Sequence, residues 1–322
     1  MALNGCHTCA GVYYSEGYWR AAGLLERDGK LHVFRYGEAI VPLVVRPLPE
    51  SCGPGFDAVS PYDFCGPLLN RESPGEVWQA LCAWARQRRI IAAFLRFHPF
   101  CGHAERWQTL NGLEIVHSAD NVVVGLSDDD TMLSLFKPQV LRDVKVARRA
   151  GVTCSVERAA ARGMDAFVPL YWASMDRLGA EPYYRFPSRF FDSLIQGVGE
   201  VVKFAWATID GDSAAAALLV LDDQTAFYYL ACSSELGRKS CAMNLLVVES
   251  ARWLHGMGYE RFHLGGGSPA LRHFKERFGP GRVPYCVGRA VFDAQRYAEL
   301  SAGISTDFFP AFRAAQKTAT DV

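Results

Sequence analysis

Apolar residues along this chain recur with two different periods, which predicts alternating strands and helices. The clearest stretch has an apolar strand at 225–232, a polar loop at 233–240, a helix at 241–257 and a short strand at 261–264. Apolar residues in the predicted helix repeat at intervals of three and four, as they do on a buried helical face. A second amphipathic helix, with its apolar side at 271–278, follows three glycines.

The same order of elements is predicted twice, which indicates an internal repeat. The first half gives a hairpin at 31–46, then a loop or a strand, a helix at 76–89 and a strand at 90–97. The second half gives a hairpin at 201–221, turning at Asp210-Gly211, a dipeptide that favours tight β-hairpin turns. A strand, a helix and another strand follow it. This order predicts α/β architecture with mixed sheets and two similar halves.

Domain limits follow from this repeat. We expect a first domain at 1–150, a second at 151–289, and a C-terminal segment, 290–322, that packs back on the first. A cleft between two such domains is the default position for a site. The remaining predicted helices and strands lie at 13–25, 115–126, 128–150 (with Pro138 inside), 152–157, 164–178, 189–198 and 283–292, and the tail from Ala294 is predicted to begin as a helix.

Composition narrows the class of protein. Half of the 322 residues are hydrophobic and the formal net charge is zero, so a large core is expected and no overall field attracts polyanions. No apolar run of about 18 residues indicates a membrane span, and the first residues do not resemble a signal peptide. The ten scattered cysteines are typical of a reducing compartment, so we expect a cytoplasmic protein. We also expect a monomer.

Cys6 and Cys9 form a lone C-x-x-C. Because no second ligand pair follows at zinc spacing, an N-terminal turn is favoured over a zinc or redox site, and no metal is predicted. The chain also has no Walker loop, no G-x-S-x-G, no H-E-x-x-H and no dinucleotide fingerprint, which excludes the reactions that these motifs support. No cofactor is predicted.

The glycine run is the first candidate for chemistry. Gly265, Gly266 and Gly267 follow a strand and precede a helix that carries Phe274 and Lys275. Backbone N–H groups at such a junction can bind an anion, and a lysine adds a cation. A tight turn with a solvated lysine is the alternative that the residues leave open.

The sequence L-G-G-G…F-K-x-x-F-G resembles the Fem family, the peptidoglycan-bridge aminoacyltransferases, whose members carry two GNAT-like acyltransferase halves. The resemblance is good over 241–289 and loose over most of the chain. It implies that the Phe274-Lys275 pair lies where the aminoacyl end of a tRNA binds, with Lys275 stabilising charge at the reacting ester. The coiled-coil arm of some members is missing, which implies the compact form.

A first-half loop, S-P-Y-D-F-C-G-P at 60–67, resembles the acceptor-facing loop of that family. The resemblance implies that Tyr62 and Phe64 line an acceptor pocket and that Asp63 binds an amine. A turn with aromatic core anchors is equally compatible with the residues. Asp63 and Glu235 are the carboxylates to test first as a general base, although the donor's own ribose or phosphate could take the proton.

Further acceptor candidates lie in the second half: Tyr183, Tyr184, Arg185, Tyr228 and Tyr229. The first three occupy an aromatic-rich segment that resembles the family's loop before the acceptor helix. Tyr228 and Tyr229 are neighbours on a predicted strand, so one is expected to face the core and the other the site.

Basic residues supply candidates for donor binding. Arg142, Lys145 and Arg149 share one face of a predicted helix and could follow a phosphate backbone, although a solvated face is the usual meaning of such a stripe. Arg238 and Lys239 lie in E-L-G-R-K-S-C-A, where simple GNAT enzymes carry R/Q-x-x-G-x-G/A for CoA. Only Gly237 of that motif is present, which weakens a CoA interpretation, yet both cations could meet phosphates.

The resulting hypothesis is an amide-forming aminoacyltransferase. It takes an amino acid from aminoacyl-tRNA to an amine of a peptidoglycan precursor, a peptide or a small molecule. An acyl-CoA-dependent N-acyltransferase acting on an amino sugar or another polar amine is the alternative within the same fold. A non-catalytic tRNA- or ligand-binding module is the alternative from another class. The sequence does not identify the acceptor, the amino acid or the tRNA.

Overall fold

A computed structural model describes residues 11–314 of the chain, so the C-x-x-C at Cys6 and Cys9 lies outside the described residues. The chain forms two compact units, one up to Ala119 and from Pro284 onward, the other from Asp120 to Val283. The domain division predicted from the sequence, at 150 and 289, stays a prediction; the compact units divide the chain at 119 and 283.

The first unit contains a hairpin, a third strand and a crossover helix. Its elements are α1 (Glu16–Gly23), β1 (Lys30–Tyr36), β2 (Ala39–Pro47), β3 (Phe56–Val59), α2 (Pro74–Gln87), β4 (Ile90–Arg96), α3 (His103–Arg106), the beginning of β5 (Leu113–Gly125), most of β11 (Arg282–Val291) and α11 (Ala294–Ser301). Strands β1, β2 and β3 are antiparallel, β3 pairs with β4 in parallel, and β11 lies antiparallel to β4. Helix α2 buries Val77, Leu81 and Ala85 in this unit's core.

A buried carboxylate anchors the last described residues to this unit. Asp57 on β3 is fully buried and accepts hydrogen bonds from Arg46 and from Arg313. Arg46 also pairs with Glu26 at 2.7 Å. Burial lowers the pKa of Arg46, but the charges of Asp57 and Glu26 raise it by more, so the net shift is upward. Two guanidinium groups therefore compensate the two carboxylates, as buried charges require.

The second unit repeats the plan of the first. Its elements are the end of β5, α4 (Asp129–Ser134), α5 (Pro138–Arg149), β6 (Thr153–Arg158), α6 (Ala161–Leu178), α7 (Ser188–Val198), β7 (Val202–Ile209), β8 (Asp212–Asp222), β9 (Thr225–Ser233), α8 (Glu235–Lys239), α9 (Ala242–Gly256), β10 (Arg261–Gly265) and α10 (Pro269–Lys275). Strands β6 to β9 are antiparallel neighbours, β9 pairs with β10 in parallel, and β5 lies antiparallel to β10.

The mixed α/β fold predicted from the sequence is confirmed. Each unit has a hairpin, a third antiparallel strand, a crossover helix and a parallel fourth strand. The amphipathic helix α5 starts at Pro138, which divides the predicted helix 128–150 because proline suits only the first turn. The predicted polar loop 233–240 is wrong in part, since Ser234 caps a helical turn, α8, by accepting from the N–H of Gly237.

Candidate active site

The parallel strands β9 and β10 pair over only three residues and then part. Their register joins Thr225–Phe227 of β9 to Arg261–His263 of β10. Beyond it β9 continues to Ser233, whereas β10 shifts its register against β5 and ends at Gly265. Ligands of open α/β sheets bind at the carboxyl ends of the strands, so the ends of β9 and β10 are the candidate position for a bound group.

Three glycines turn the chain away at the end of β10. Gly265 and Gly267 have φ of +75° and +123°, values that L side chains rarely adopt. Gly266 has ordinary φ, but a Cβ there would lie 2.7 Å from Oδ1 of the buried Asn121. The run is therefore a close-packed turn, and it brings a polar side chain of β5 against the strand end.

Lys275 is buried beside this turn. Only 7% of its surface is exposed, and its Nζ donates to the carbonyl oxygen of Gly266 at 2.6 Å. The ammonium also lies 6.0 Å from the centroid of the Tyr228 ring, within the range of a cation–π contact. The structure thus brings together four sequence-predicted residues: Gly265, Gly266, Tyr228 and Lys275.

Tyr228 and Tyr229 contact different helices, at a point where the register between β9 and β8 shifts. The Tyr228 hydroxyl donates to Sδ of Met243 on α9 at 2.8 Å, and burial raises the pKa of Tyr228 far above its usual value. Tyr229 stacks on Phe190 of α7, with ring centroids 6.5 Å apart. The Tyr228 ring therefore lies close to the Lys275 ammonium.

Phe274 is half-buried and contacts the fully buried Phe278 edge to face, with ring centroids 5.3 Å apart. Phe278 in turn contacts Phe136, which follows α4, at 5.7 Å. These rings attach the segment that carries Lys275 to the unit's apolar core.

Helix α8 occupies the position of the predicted phosphate loop. A Cβ on Gly237 would meet the carbonyl oxygen of Ala214 at 1.8 Å, so this glycine is required for packing against β8. Lys239 pairs with Glu235 at 2.7 Å on an exposed face. Arg238 is exposed and makes no ion pair within the part of the chain that the structure describes.

Sequence reasoning did not identify Arg177, on α6. Ser174, one turn earlier, accepts from the N–H of Ser233 and donates to its carbonyl, which fixes α6 to the end of β9. Burial and then the nearby charge of Arg238 lower the pKa of Arg177. Two like charges thus lie near the end of β9.

The basic stripe on α5 is solvent-exposed. Arg142, Lys145 and Arg149 are all exposed, and Arg142 donates to the side chain of Gln139. Arg148, next to the stripe, pairs instead with Glu249 of α9. The opposite face of α5 is apolar and buried.

The acceptor candidates of the first unit lie in a tight loop. Asp63 has φ of +65°, and its carboxylate accepts from the hydroxyl of Tyr13 at 3.3 Å. Phe64 is buried, with its ring against Tyr13 and Tyr285. Tyr62 is half-buried, and its carbonyl accepts from Tyr18. Of the three, Phe64 has the surroundings of a core anchor.

Tyr183, Tyr184 and Arg185 follow α6. Tyr184 is exposed, and its carbonyl accepts a hydrogen bond from the Tyr171 hydroxyl. Arg185 lies over the Trp172 ring at 4.9 Å and pairs with Asp176. These contacts give the segment a defined conformation at the surface.

A second cluster that sequence reasoning missed surrounds Arg277, two residues after Lys275. Its guanidinium donates to Asp143 of α5 and to Asn244 of α9, each at 3.2 Å. Both partners are buried. The available signal was a polar residue, Asp143, on the otherwise apolar face of α5.

Within residues 11–314, no three His, Cys, Asp or Glu side chains come together as metal ligands would. Among the same residues no helix has the length and apolar character needed to cross a membrane.

Comparisons with known proteins agree with this fold. Residues 138–276 match the family described as acetyltransferase (GNAT) domain. A crystal structure of FemX covers 88% of this chain and 93% of its own, with a TM-score of 0.65 and 14% identity. No curated protein sequence is similar enough to this chain to count as a match.

Two further solved structures have a similar fold, and the one from Agrobacterium fabrum is described as part of a putative lysylphosphatidylglycerol synthetase. The C-terminal domain of one from Agrobacterium fabrum has a TM-score of 0.57 and 19% identity, covering 85% of this chain and 89% of its own. L-PGS from Bacillus licheniformis has a TM-score of 0.58 and 14% identity, covering 84% and 87%. At these identities the likeness concerns the fold.

Proposed function

We propose that this protein transfers an amino acid from aminoacyl-tRNA to an amine, forming an amide bond. The acceptor is an amine of a peptidoglycan precursor, a peptide or a small molecule. The observation that carries the proposal is the buried Lys275 ammonium beside the parting ends of β9 and β10. FemX, whose structure is similar over 88% of this chain, and the F-K-x-x-F-G motif support an aminoacyl rather than an acetyl donor.

The reaction needs little from the protein beyond position and charge. The amine nitrogen attacks the ester carbonyl, the C–N bond forms, and the bond from carbon to the ribose oxygen breaks. The attacking nitrogen loses a proton and the departing ribose oxygen gains one. During attack, negative charge develops on the carbonyl oxygen, and a fixed cation in a water-poor site stabilises it strongly. Lys275, held by the Gly266 carbonyl, would supply that cation.

The shape of α8 weighs against an acyl-CoA donor. A pyrophosphate loop presents backbone N–H groups to phosphate, but the N–H of Gly237 is already bonded to the Ser234 hydroxyl. Gly237 also packs on the Ala214 carbonyl. In our proposal Arg238, with Arg177 close by, contacts a phosphate of the donor through side chains instead, and Lys239 contributes from the same turn.

The donor is tested by incubating the enzyme with amine acceptors and either charged tRNA or acetyl-CoA. We expect a product with charged tRNA that is lost when the RNA is digested before the enzyme is added. A product that survives RNase and requires a CoA thioester would establish the rival N-acyltransferase. Binding of tRNA with no product from either donor, across acceptors of all three classes, would favour a binding module.

The α5 stripe gives a separate prediction. If Arg142, Lys145 and Arg149 contact tRNA phosphates, replacing all three with alanine raises the KM for the donor and leaves the KM for the acceptor unchanged. Loss of three phosphate contacts should also reduce the slope of log affinity against log salt by about 2 to 3. The measurement is tRNA affinity between about 50 and 200 mM salt.

A matched control replaces three exposed cations of the first unit, Lys30, Arg35 and Arg71, with alanine. This variant removes the same formal charge but leaves α5 intact. Equal losses in both variants would mean that only total charge matters, and an unchanged donor KM in the α5 variant would mean that the stripe is a solvated face.

A further inference from the structure

Lysine reaches its partner through four rotatable side-chain bonds, so the position of its ammonium depends on how firmly its backbone is held. Lys275 is the last residue of α10, a helix of only seven residues. Such a short helix has little stability of its own, so packing against other elements must fix it. The contacts on either side of Lys275 show which elements do so.

Arg277 makes three kinds of contact, on three elements. Its guanidinium bonds Asp143 of α5 and Asn244 of α9, each at 3.2 Å. The same group lies 4.9 Å from the centroid of the Phe274 ring, on the residue before Lys275. The backbone carbonyl oxygen of Arg277 accepts a hydrogen bond from the N–H of Lys137, the residue just before α5, at 2.8 Å.

The partners of Arg277 are themselves held. Asp143 is buried, and its second oxygen accepts from Gln139 at 2.6 Å. Asn244 is buried in the first turn of α9. A guanidinium can bond two acceptors on different helices in one plane, which the point charge of a lysine cannot do. The arginine therefore joins α5, α9 and the end of α10.

We propose that Arg277 is a positioning residue for Lys275: by joining Asp143 and Asn244 it fixes the depth at which the Lys275 ammonium lies beside Gly266. The inference rests on the proposed function for its catalytic meaning. Its structural content, the burial of Lys275, can be measured without any substrate. Arg277 acts through Lys275 and has no contact with the reacting atoms in this scheme.

The test measures how fast Lys275 is acetylated by an N-hydroxysuccinimide ester, followed by peptide mass spectrometry under native conditions. In the unaltered protein the ammonium is buried and bonded, so its acetylation is slow. In Arg277→Gln we expect the Lys275 rate to rise about tenfold, because local opening exposes the amine. Asp143→Asn, which keeps the shape of the partner, should raise it less.

Arg272→Gln is the matched control, on the same helix. The Arg272 side chain makes no hydrogen bond or ion pair among residues 11–314, so its loss should leave Lys275 protected. Cys232, buried on β9, is an internal control for the whole unit. If Arg277→Gln loosened the entire unit, a thiol reagent would modify Cys232 faster as well.

The expected result is faster acetylation of Lys275 with Cys232 still protected, in Arg277→Gln and Asp143→Asn. Protection of Lys275 equal to the unaltered protein in both variants would overturn the proposal. So would exposure of Cys232 together with Lys275 in both, since the cluster would then hold the whole unit. If Arg277→Gln does not fold, the acetylation rate of Lys275 and the modification rate of Cys232 in Asp143→Asn decide the outcome.

Activity adds a second reading if transfer from tRNA is established. A displaced ammonium should lower kcat about tenfold or more with little change in the donor KM, and Arg277→Lys should not restore it. If no transfer is found but Lys275 acetylation changes as expected, the proposed function fails and the positioning of Lys275 by Arg277 stands.

Discussion

Replacing Lys275 with alanine is expected to lower kcat about 10²–10³-fold, the usual effect of removing one group that stabilises a developing oxyanion. Lys275 is 7% exposed and its ammonium is bonded to the Gly266 carbonyl, so water cannot readily replace it as the stabilising charge. The measurement is kcat and KM for transfer from charged tRNA, beside the melting temperature of each variant.

Phe274→Ala separates catalysis from stability. Phe274 is only half-buried and packs on Phe278, so its loss should lower stability by less than the roughly 3–5 kcal/mol expected for a fully buried ring. Phe278→Ala, at a fully buried ring, should show that larger loss.

A Lys275→Ala enzyme with near-normal kcat would remove Lys275 from the catalytic proposal.

Acid is expected to destabilise the first unit strongly. Burial, and then the charge of His103, lowers the pKa of His98 to about 3. Burial, and then Arg106, lowers that of His103 to about 4. In the unfolded chain both imidazoles take up a proton near pH 6.5, whereas in the folded chain they stay neutral to lower pH.

The unfolded state therefore binds more protons below about pH 6.5, and stability falls as pH falls towards the two folded-state values. Each group contributes about 1.4 kcal/mol per pH unit in that range, or about 2.7 kcal/mol per unit between pH 6 and 4 for the pair. The free energy of unfolding in urea at pH 7, 6, 5 and 4 measures this directly.

His98→Gln should remove about half of that slope, while His255→Gln, at an exposed position on α9, should leave it unchanged. An unfolding free energy that is flat from pH 7 to 4 in the unaltered protein would contradict the prediction.

Local patterns explain what sequence reasoning predicted well. The hairpin at Asp210-Gly211 and the amphipathic helix α9 depend on residues a few positions apart, and both form. Strand β3 could not be told from a loop because its four residues, Phe56–Val59, show too little alternation of apolar and polar positions. Helix α8 was missed because its polar residues are typical of loops, although Ser234 and Gly237 have the spacing of a cap.

The residues of the candidate site also differ in whether a local pattern could reveal them. Lys275, the glycines and Tyr228 were predicted because a motif joins the first two and strand position gives the third. Arg277 was passed over because its partner Asp143 is 134 residues away in sequence, and nothing local indicates such a pairing. Asn121 was missed for the same reason, since its contact with Gly266 depends on how β5 pairs with β10.

The packing of Gly237 has a consequence for redesign. Engineering this chain to accept CoA would begin, by analogy with simple GNAT enzymes, with small residues around that glycine. Because the Ala214 carbonyl leaves no room for a Cβ at Gly237, this position cannot be varied without moving β8. The Ser234 hydroxyl already accepts from the Gly237 N–H, so that amide is not available to a pyrophosphate. A mutant library that keeps Gly237 fixed and randomises Ser234 and Glu235 would therefore explore the loop conformations still open to selection.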